Sequence, residues 1–157
     1  AQLIYRSLQA NGVPAPHVAV SALNPHGGDG GTCGREEIDI IAPAVAELVA
    51  KGFPVQGPFP ADTIFLKARA GEFDAIVTMY HDQGQIALKL LGFSKGVTVQ
   101  GGLPVPITTP AHGTAYDIAG LGKANVNATA NAFAIACRMG RTYRESEAIA
   151  VPVPQWA

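Results

Sequence analysis

At 157 residues, 48% hydrophobic and 15% charged, the chain has enough apolar side chains to close a compact core, which excludes wholesale disorder. Eleven Lys and Arg against twelve Asp and Glu leave a net charge of -1, so no basic field favours a nucleic-acid backbone or an anionic membrane surface. Cys33 and Cys137 stand far apart with no CxxC spacing, which argues against a disulfide framework or a cysteine zinc site and for a reducing, cytoplasmic setting. No apolar run approaches the roughly 18 residues of a membrane span, and the opening AQLIYRSLQANG lacks the layout of a signal peptide.

Leu3, Ile4 and Leu8 recur at helical spacing almost from the first residue, with Gly12 after Asn11 as a cap. The chain therefore reads as opening within a helix, as a piece of something longer. Residues 17–23 (HVAVSAL) form an apolar run that predicts a buried strand, running into the loop NPHGGDGG at 24–31. Over 35–51, Ile38, Ile41, Val45, Leu48 and Val49 keep helical period, and Glu36 and Glu37 at the start with Lys51 at the end suit the helix dipole. A short extended piece at 53–56 meets Gly57-Pro58-Phe59-Pro60, after which Asp62 or Thr63 can cap a helix to about Gly71. Residues 74–80 (DAIVTMY) predict a second buried strand ending in His81-Asp82-Gln83-Gly84, then a helix over 85–91 and a strand over 96–100. A loop spans 101–113, a Gly-rich stretch follows, an Ala-rich helix covers 125–149, and the tail VPVPQWA is extended.

Short buried strands alternating with helices predict an α/β protein, in which ligands sit beyond the carboxyl ends of the strands. With neither repeat nor linker, one domain or one piece of a domain is the economical reading. The 18 Gly are not spread evenly: five (27, 28, 30, 31, 34) crowd the first of these loops and five more (101, 102, 113, 120, 122) the last two. In the first loop, His26 among glycines is compatible both with a ligand in an open loop and with a plain exposed turn. A Walker-type phosphate loop is excluded because no Lys-Ser/Thr pair follows. The second, Tyr80-His81-Asp82, sets a phenol, an imidazole and a carboxylate where α/β active sites lie. His26 and His81 could share a metal, with Asp62, Asp82 or a group from outside completing its shell, while His17 before the strand reads as structural. In the third, His112-Gly113-Thr114-Ala115 through Asp117 to Asn125 suits a nucleotide. Asp117 could accept from ribose hydroxyls and repel a 2′-phosphate, favouring NAD over NADP. No GxGxxG follows a strand, so either another nucleotide-binding architecture or ordinary turns account for it.

Taken together, Leu23-Asn24-Pro25-His26, Gly34-Arg35-Glu36-Glu37, Gly57-Pro58 with Pro60-Ala61-Asp62-Thr63, Met79-Tyr80-His81-Asp82-Gln83-Gly84, Gly102-Leu103-Pro104 and His112-Gly113-Thr114-Ala115 resemble, in order and spacing, the 4-hydroxythreonine-4-phosphate dehydrogenase (PdxA) family. The likeness covers nearly the whole chain, residues 1–157, as the C-terminal part of such a dehydrogenase. HGTAYDIAGLGKAN also resembles the nucleotide loop of isopropylmalate dehydrogenases. The resemblance implies the second half of an isocitrate/isopropylmalate dehydrogenase-like α/β/α sandwich, with metal and substrate loops at 24–91, an NAD loop at 101–125 and a terminal helix at 125–149. It also implies a homodimer with shared active sites, in the pyridoxal phosphate biosynthetic family, oxidising a secondary alcohol of a hydroxy acid with NAD and then releasing CO2.

By that resemblance, His26 and His81 match two of three histidine ligands of a divalent metal (Zn, Mg, Mn or Co), the third lying upstream. Lys89 matches a substrate-contacting lysine, Asp62 and Asp82 match acidic residues near the metal, and His112, Gly113, Thr114, Ala115, Asp117 and Asn125 match the NAD loop. Where phosphate-using members carry an Asn and an Arg, this sequence has Thr98 and Ile107. An absent Arg removes charge-assisted bonds of about 1.5–3 kcal/mol each. The departure points to catabolic relatives acting on a non-phosphorylated substrate, such as a terephthalate cis-dihydrodiol. The remaining alternative is a catalytically silent oligomerisation or ligand-binding module.

Overall fold

The computed structural model describes residues 1–150, with side chains to residue 144, so the extended tail expected at 151–157 lies outside it. The chain divides into two compact units, one of Ala1–Gln9 with Val13–Leu91, the other of Ala10–Gly12 with the described residues from Gly92 onward. No helix among the described residues is long and apolar enough to cross a membrane.

The first unit holds α1 (Gln2–Ala10), β1 (Val18–Ser21), α2 (Ala42–Ala50), β2 (Val55–Phe59), α3 (Ile64–Arg69), β3 (Ala75–Val77) and α4 (His81–Gly92). Its three strands form a parallel sheet in the order β2-β1-β3, with Val18 opposite both Val55 and Ala75. The central strand VAVS is buried at every position, which is why it reads as a continuous apolar run rather than an alternating one. Val18 and Val20 face Ile41, Val45 and Val55, with Ala1, Tyr5 and Leu48 packed around them; Ala19 faces Ile64 and Phe73 on the other side. Helices cover both faces, the α/β/α layering expected from the alternation of elements.

Several expectations are corrected in detail. At α1 the core is met by Ala1, just before the helix, and by Tyr5, whose ring stands edge-on to Phe53 at 5.4 Å, whereas Leu3 and Ile4 are exposed. The helix after Arg35 opens with one wide turn over Glu37–Ile41, in which the Ala42 N–H reaches back to the Glu37 carbonyl. Ile41 and Val45 keep the core face, and Ile38 and Val49 fall outside it. Thr63 precedes α3 without capping it, because its hydroxyl donates to the Pro60 carbonyl instead. β2 runs on through Gly57-Pro58 and carries one extra residue against β1 between Gln56 and Phe59. Gly57, at φ 138°, makes that bulge possible, since a Cβ there would lie 2.5 Å from the Val20 carbonyl oxygen.

The second unit pairs β4 (Val97–Gln100) with β5 (Ile107–Pro110) as an antiparallel ribbon, packed against α5 (Asn127–Ala150). β5 lies inside the stretch expected to be loop. Its sequence ITTP is half exposed and ends in proline, so it carries little of the apolar signal that marks a buried strand. The Thr108 hydroxyl donates to the Ala132 carbonyl of α5 at 2.8 Å, and Ala128, Ala132 and Met139 are buried. Further along the helix, Arg138 Nε donates to Asn11 Oδ1 at 3.0 Å and the Thr142 hydroxyl to the Ala10 carbonyl at 3.1 Å.

Ile64 is fully buried where α3 meets the sheet. Ile64→Ala should lower unfolding stability by about 2–5 kcal/mol, seen as a drop in the urea midpoint at unchanged m-value. A midpoint within experimental error of wild type would refute this view of the core.

Candidate active site

The candidate site of the first unit lies where β1 and β3 end. Past Ser21 the chain leaves the ladder, and the N–H groups of Leu23 and Asn24 need other acceptors. They find one in Glu37: its Oε1 accepts from Leu23 N at 2.7 Å and Asn24 N at 2.8 Å, while Oε2 accepts from Asn24 Nδ2 at 2.9 Å. Glu36 accepts from the same amide at 2.6 Å. Glu37 is only 4% exposed. Burial alone would push its carboxyl up, but the bonds from the Asn24 side chain and from the Asn24 and Leu23 backbone prevail and hold it below the ordinary value. Its role is therefore more than the dipole complement expected from sequence: it clamps the root of the His26 loop. The glycine at 34 belongs to the same clamp, because a Cβ there would come within 2.3 Å of Asn24 Nδ2.

From this root the loop Pro25–Gly31 winds through six successive residues at positive φ, two of them His26 (φ 54°) and Asp29 (φ 45°). Side-chain-bearing residues in that region are uncommon, and their clustering marks a loop held in place by its surroundings. His26 Nδ1 and Asp29 Oδ2 are 3.2 Å apart. At the end of β3, His81 opens α4, one turn earlier than the helix expected from Gln85, and its Nδ1 lies 2.7 Å from Asp82 Oδ1. A carboxylate on Nδ1 selects the Nδ1–H tautomer and leaves the Nε2 lone pair outward, the arrangement found in histidines that ligate metals. Both imidazoles are open to solvent, with side-chain exposures of 71% and 75%. Gln83 joins the two strand ends: Met79 N donates to its Oε1 at 2.9 Å, and its Nε2 donates to the Ala22 carbonyl at 2.9 Å.

A cavity of about 250 Å³ is walled by Leu23, Asn24, His26, Asp62, Tyr80 and Gln83, among others. It brings together His26 and Asp62; His81, Asp82 and Lys89 are not among its lining residues, and Lys89 lies two turns further along α4, about 12 Å of helical rise from His81. Among the described residues, no three or more His, Cys, Asp and Glu side chains converge as a metal cluster. The two histidines supply borderline nitrogen donors that fit a divalent transition metal as part of its shell. His17 uses its backbone, its N–H donating to Asp74 Oδ2 at 2.8 Å.

In the second unit, a cavity of about 410 Å³ is lined by Phe93, Ser94, His112, Gly113, Ala115, Ile118, Ala124 and Asn125. Apolar walls with a few polar groups suit a flat heteroaromatic ring. His112 Nδ1 lies 2.9 Å from the Gly113 carbonyl, which leaves Nε2 as an acceptor, and Asn125 Oδ1 accepts from Asn127 N at 2.9 Å to cap α5. Thr114 and Asp117 are exposed and stand outside that wall, Asp117 in the short turn Tyr116–Ile118. On the ribbon, Thr98 pairs with Thr109 and Gln100 with Ile107, so Thr98 and Ile107 are diagonal neighbours on one face, about 7–8 Å apart. The Glu37 clamp and the Gln83 bridge are the two functional elements that sequence reasoning missed. Their only signal was their place within the motifs GREE and MYHDQG.

Comparison with known proteins accords with this geometry. A family model described as Pyridoxal phosphate biosynthetic protein PdxA matches residues 1–136. A putative 4-hydroxythreonine-4-phosphate dehydrogenase 2 of Pseudomonas aeruginosa is 64% identical over 142 residues, covering 89% of this chain and 42% of the relative. The crystal structure of 4-hydroxythreonine-4-phosphate dehydrogenase from Klebsiella pneumoniae superposes with a TM-score of 0.76 at 46% identity, covering 88% of this chain and 42% of that one. A terephthalate 1,2-cis-dihydrodiol dehydrogenase from Burkholderia xenovorans gives a TM-score of 0.67 at 34% identity, over 87% of this chain and 43% of that one. The chain thus spans about two-fifths of the length of the relatives it matches.

Because the Glu37 carboxyl is held low, its stabilising contribution is complete above the unfolded value of about 4.3 and is lost as pH falls through the lower folded one. Glu37→Gln should therefore be less stable than wild type at pH 7, and the gap should narrow on acidification in urea titrations from pH 7 to 3. Glu37→Ala, which orphans two N–H groups, should lose about 1–3 kcal/mol for each. A gap between wild type and Glu37→Gln that is constant with pH would contradict the assignment.

Proposed function

The chain belongs to the PdxA family, and from that premise we propose that it forms part of an NAD- and divalent-metal-dependent dehydrogenase of the 4-hydroxythreonine-4-phosphate type. The reaction oxidises the secondary alcohol of a hydroxy acid, and the resulting β-keto acid loses CO2. The observation that carries the reading is the pair His26 and His81, set at the ends of two adjacent parallel strands, each with Nδ1 on a carboxylate and Nε2 open.

His26 and His81 hold the metal, Zn, Mg, Mn or Co, with a third ligand from a segment upstream. Bound there, it supplies a Lewis acid that lowers the pKa of the substrate hydroxyl and offsets the negative charge left by CO2 loss. Asp29 and Asp82 fix the imidazole tautomers. Asp62, which lines the same cavity as His26, is the acidic residue that accepts the hydroxyl proton on this reading. Lys89 positions the substrate or relays a proton. NAD, the hydride acceptor, is held along His112, Gly113, Thr114, Ala115 and Asn125, with Asp117 on the ribose hydroxyls. On this reading the protein works in the cytoplasm as a homodimer with shared sites.

Thr98 and Ile107 support a second reading of the substrate. Neither side chain offers a guanidinium to a phosphate dianion, so a non-phosphorylated hydroxy acid such as a terephthalate cis-dihydrodiol fits that ribbon better.

In the protein that carries this chain, His81→Ala should abolish metal-dependent NADH production, followed at 340 nm. Wild-type turnover in that variant would remove the metal assignment, and an inert parent protein would favour a silent binding module. The double variant Thr98→Asn, Ile107→Arg should raise kcat/KM for 4-hydroxythreonine 4-phosphate relative to the dihydrodiol by about tenfold or more. An unchanged ratio would take both positions out of substrate selection.

A further inference from the structure

Building on the reading of His26 and His81 as ligands of one cation, we propose that Gln83 is a positioning residue that sets the separation of the two histidine loops. β1 and β3 are paired up to Val20 and Val77, after which the ladder ends and each chain turns into its histidine loop. Gln83 adds one more rung beyond that point. Its Oε1 accepts from Met79 N on the extension of β3, and its Nε2 donates to the Ala22 carbonyl on the extension of β1, both at 2.9 Å.

A primary amide is the side-chain group that accepts on one side and donates on the other in a fixed plane. A carboxylate retains the acceptor and loses the donor; a thioether of similar length loses both. Ala22 is fully buried, and its carbonyl accepts both from Gln83 and, at 3.1 Å, from the Ser21 hydroxyl; of these two donors only Gln83 reaches across to the β3 extension. The rung is four residues from His26 and two from His81, which opens the same helical turn. That turn is seated closely, since a Cβ on Gly84 would lie 3.2 Å from Thr78 Oγ1. Ligands carried on two separate loops chelate one ion only if the loops keep their spacing to a fraction of an ångström. Gln83 is the side chain that ties one loop root to the other.

The test compares Co2+ affinity, by calorimetry and visible absorbance, in wild type, Gln83→Glu, Gln83→Met, His26→Ala and His81→Ala, with thermal midpoints recorded alongside. Both Gln83 variants should bind Co2+ about tenfold or more weakly, the size of effect seen when supports around metal ligands are removed, while their midpoints fall by only the few degrees that the lost hydrogen bonds imply. Wild-type affinity in the Gln83 variants, with loss in the histidine variants, overturns the positioning role and leaves the metal reading standing. Undiminished Co2+ binding in both histidine variants overturns the metal reading itself. Should the Gln83 variants fail to fold, hydrogen exchange in the wild type decides. Coupling is reciprocal, so Zn2+ must slow exchange at the Met79 amide and the Gln83 side-chain amide together. Exchange rates unmoved by Zn2+ overturn the proposal.

Discussion

The chemistry-bearing part of the first unit depends on one constraint, that a buried strand end must satisfy its backbone donors. β1 is buried along its whole length and paired on both edges, but its neighbours diverge once the ladder closes. The N–H groups of Leu23 and Asn24 emerge at that point with no strand to receive them, and the Glu37 carboxylate takes both. The entry to the His26 loop, the wide turn that begins α2 and the close seating of Gly34 on Asn24 all follow from that requirement. An aliphatic residue at 37 would leave the Leu23 and Asn24 N–H groups without their carboxylate acceptor.

The histidine loops are built by opposite means. Around His26 the backbone departs from the comfortable regions of φ/ψ space and is held there from outside, by the Asn24 and Glu37 bonds at its root. Around His81 the backbone is ordinary helix, and the geometry is local, with Asp82 next to the ring and Gln83 one residue on. The common outcome is an imidazole whose inner nitrogen is bonded and whose outer nitrogen is free, reached once through strain and once through helical regularity.

How much of this was legible in the sequence follows from where each signal comes from. VAVS and AIV were legible as strands because parallel strands buried on both faces are apolar throughout, and the alternation with helices gave the α/β layering. ITTP escaped because a ribbon with one exposed face and threonines along it carries no such signature. His26, His81, Asp62 and the 112–125 loop were legible as candidates because chemistry restricts which side chains can do such work. Glu37 and Gln83 were not, since each acts through a hydrogen bond to a backbone group distant in sequence. Glu37 looked like any acid at a helix start until the wide turn directed it inward, and Gln83 looked like any polar residue after a strand until the β3 and β1 extensions were seen side by side.

The two-stranded ribbon is, by contrast with the His26 loop, structurally undemanding. Thr98 and Ile107 occupy ordinary extended positions on one face of β4 and β5, with the cross-strand register fixed by backbone bonds that accept almost any side chain. They belong to a different compact unit from the clamped histidine loops. A lineage can therefore exchange residues on the ribbon without disturbing the strained and interlocked segment that carries the imidazoles. On the proposed reading, side chains that select the substrate can change there at little structural cost, while the clamp on the imidazoles keeps its geometry.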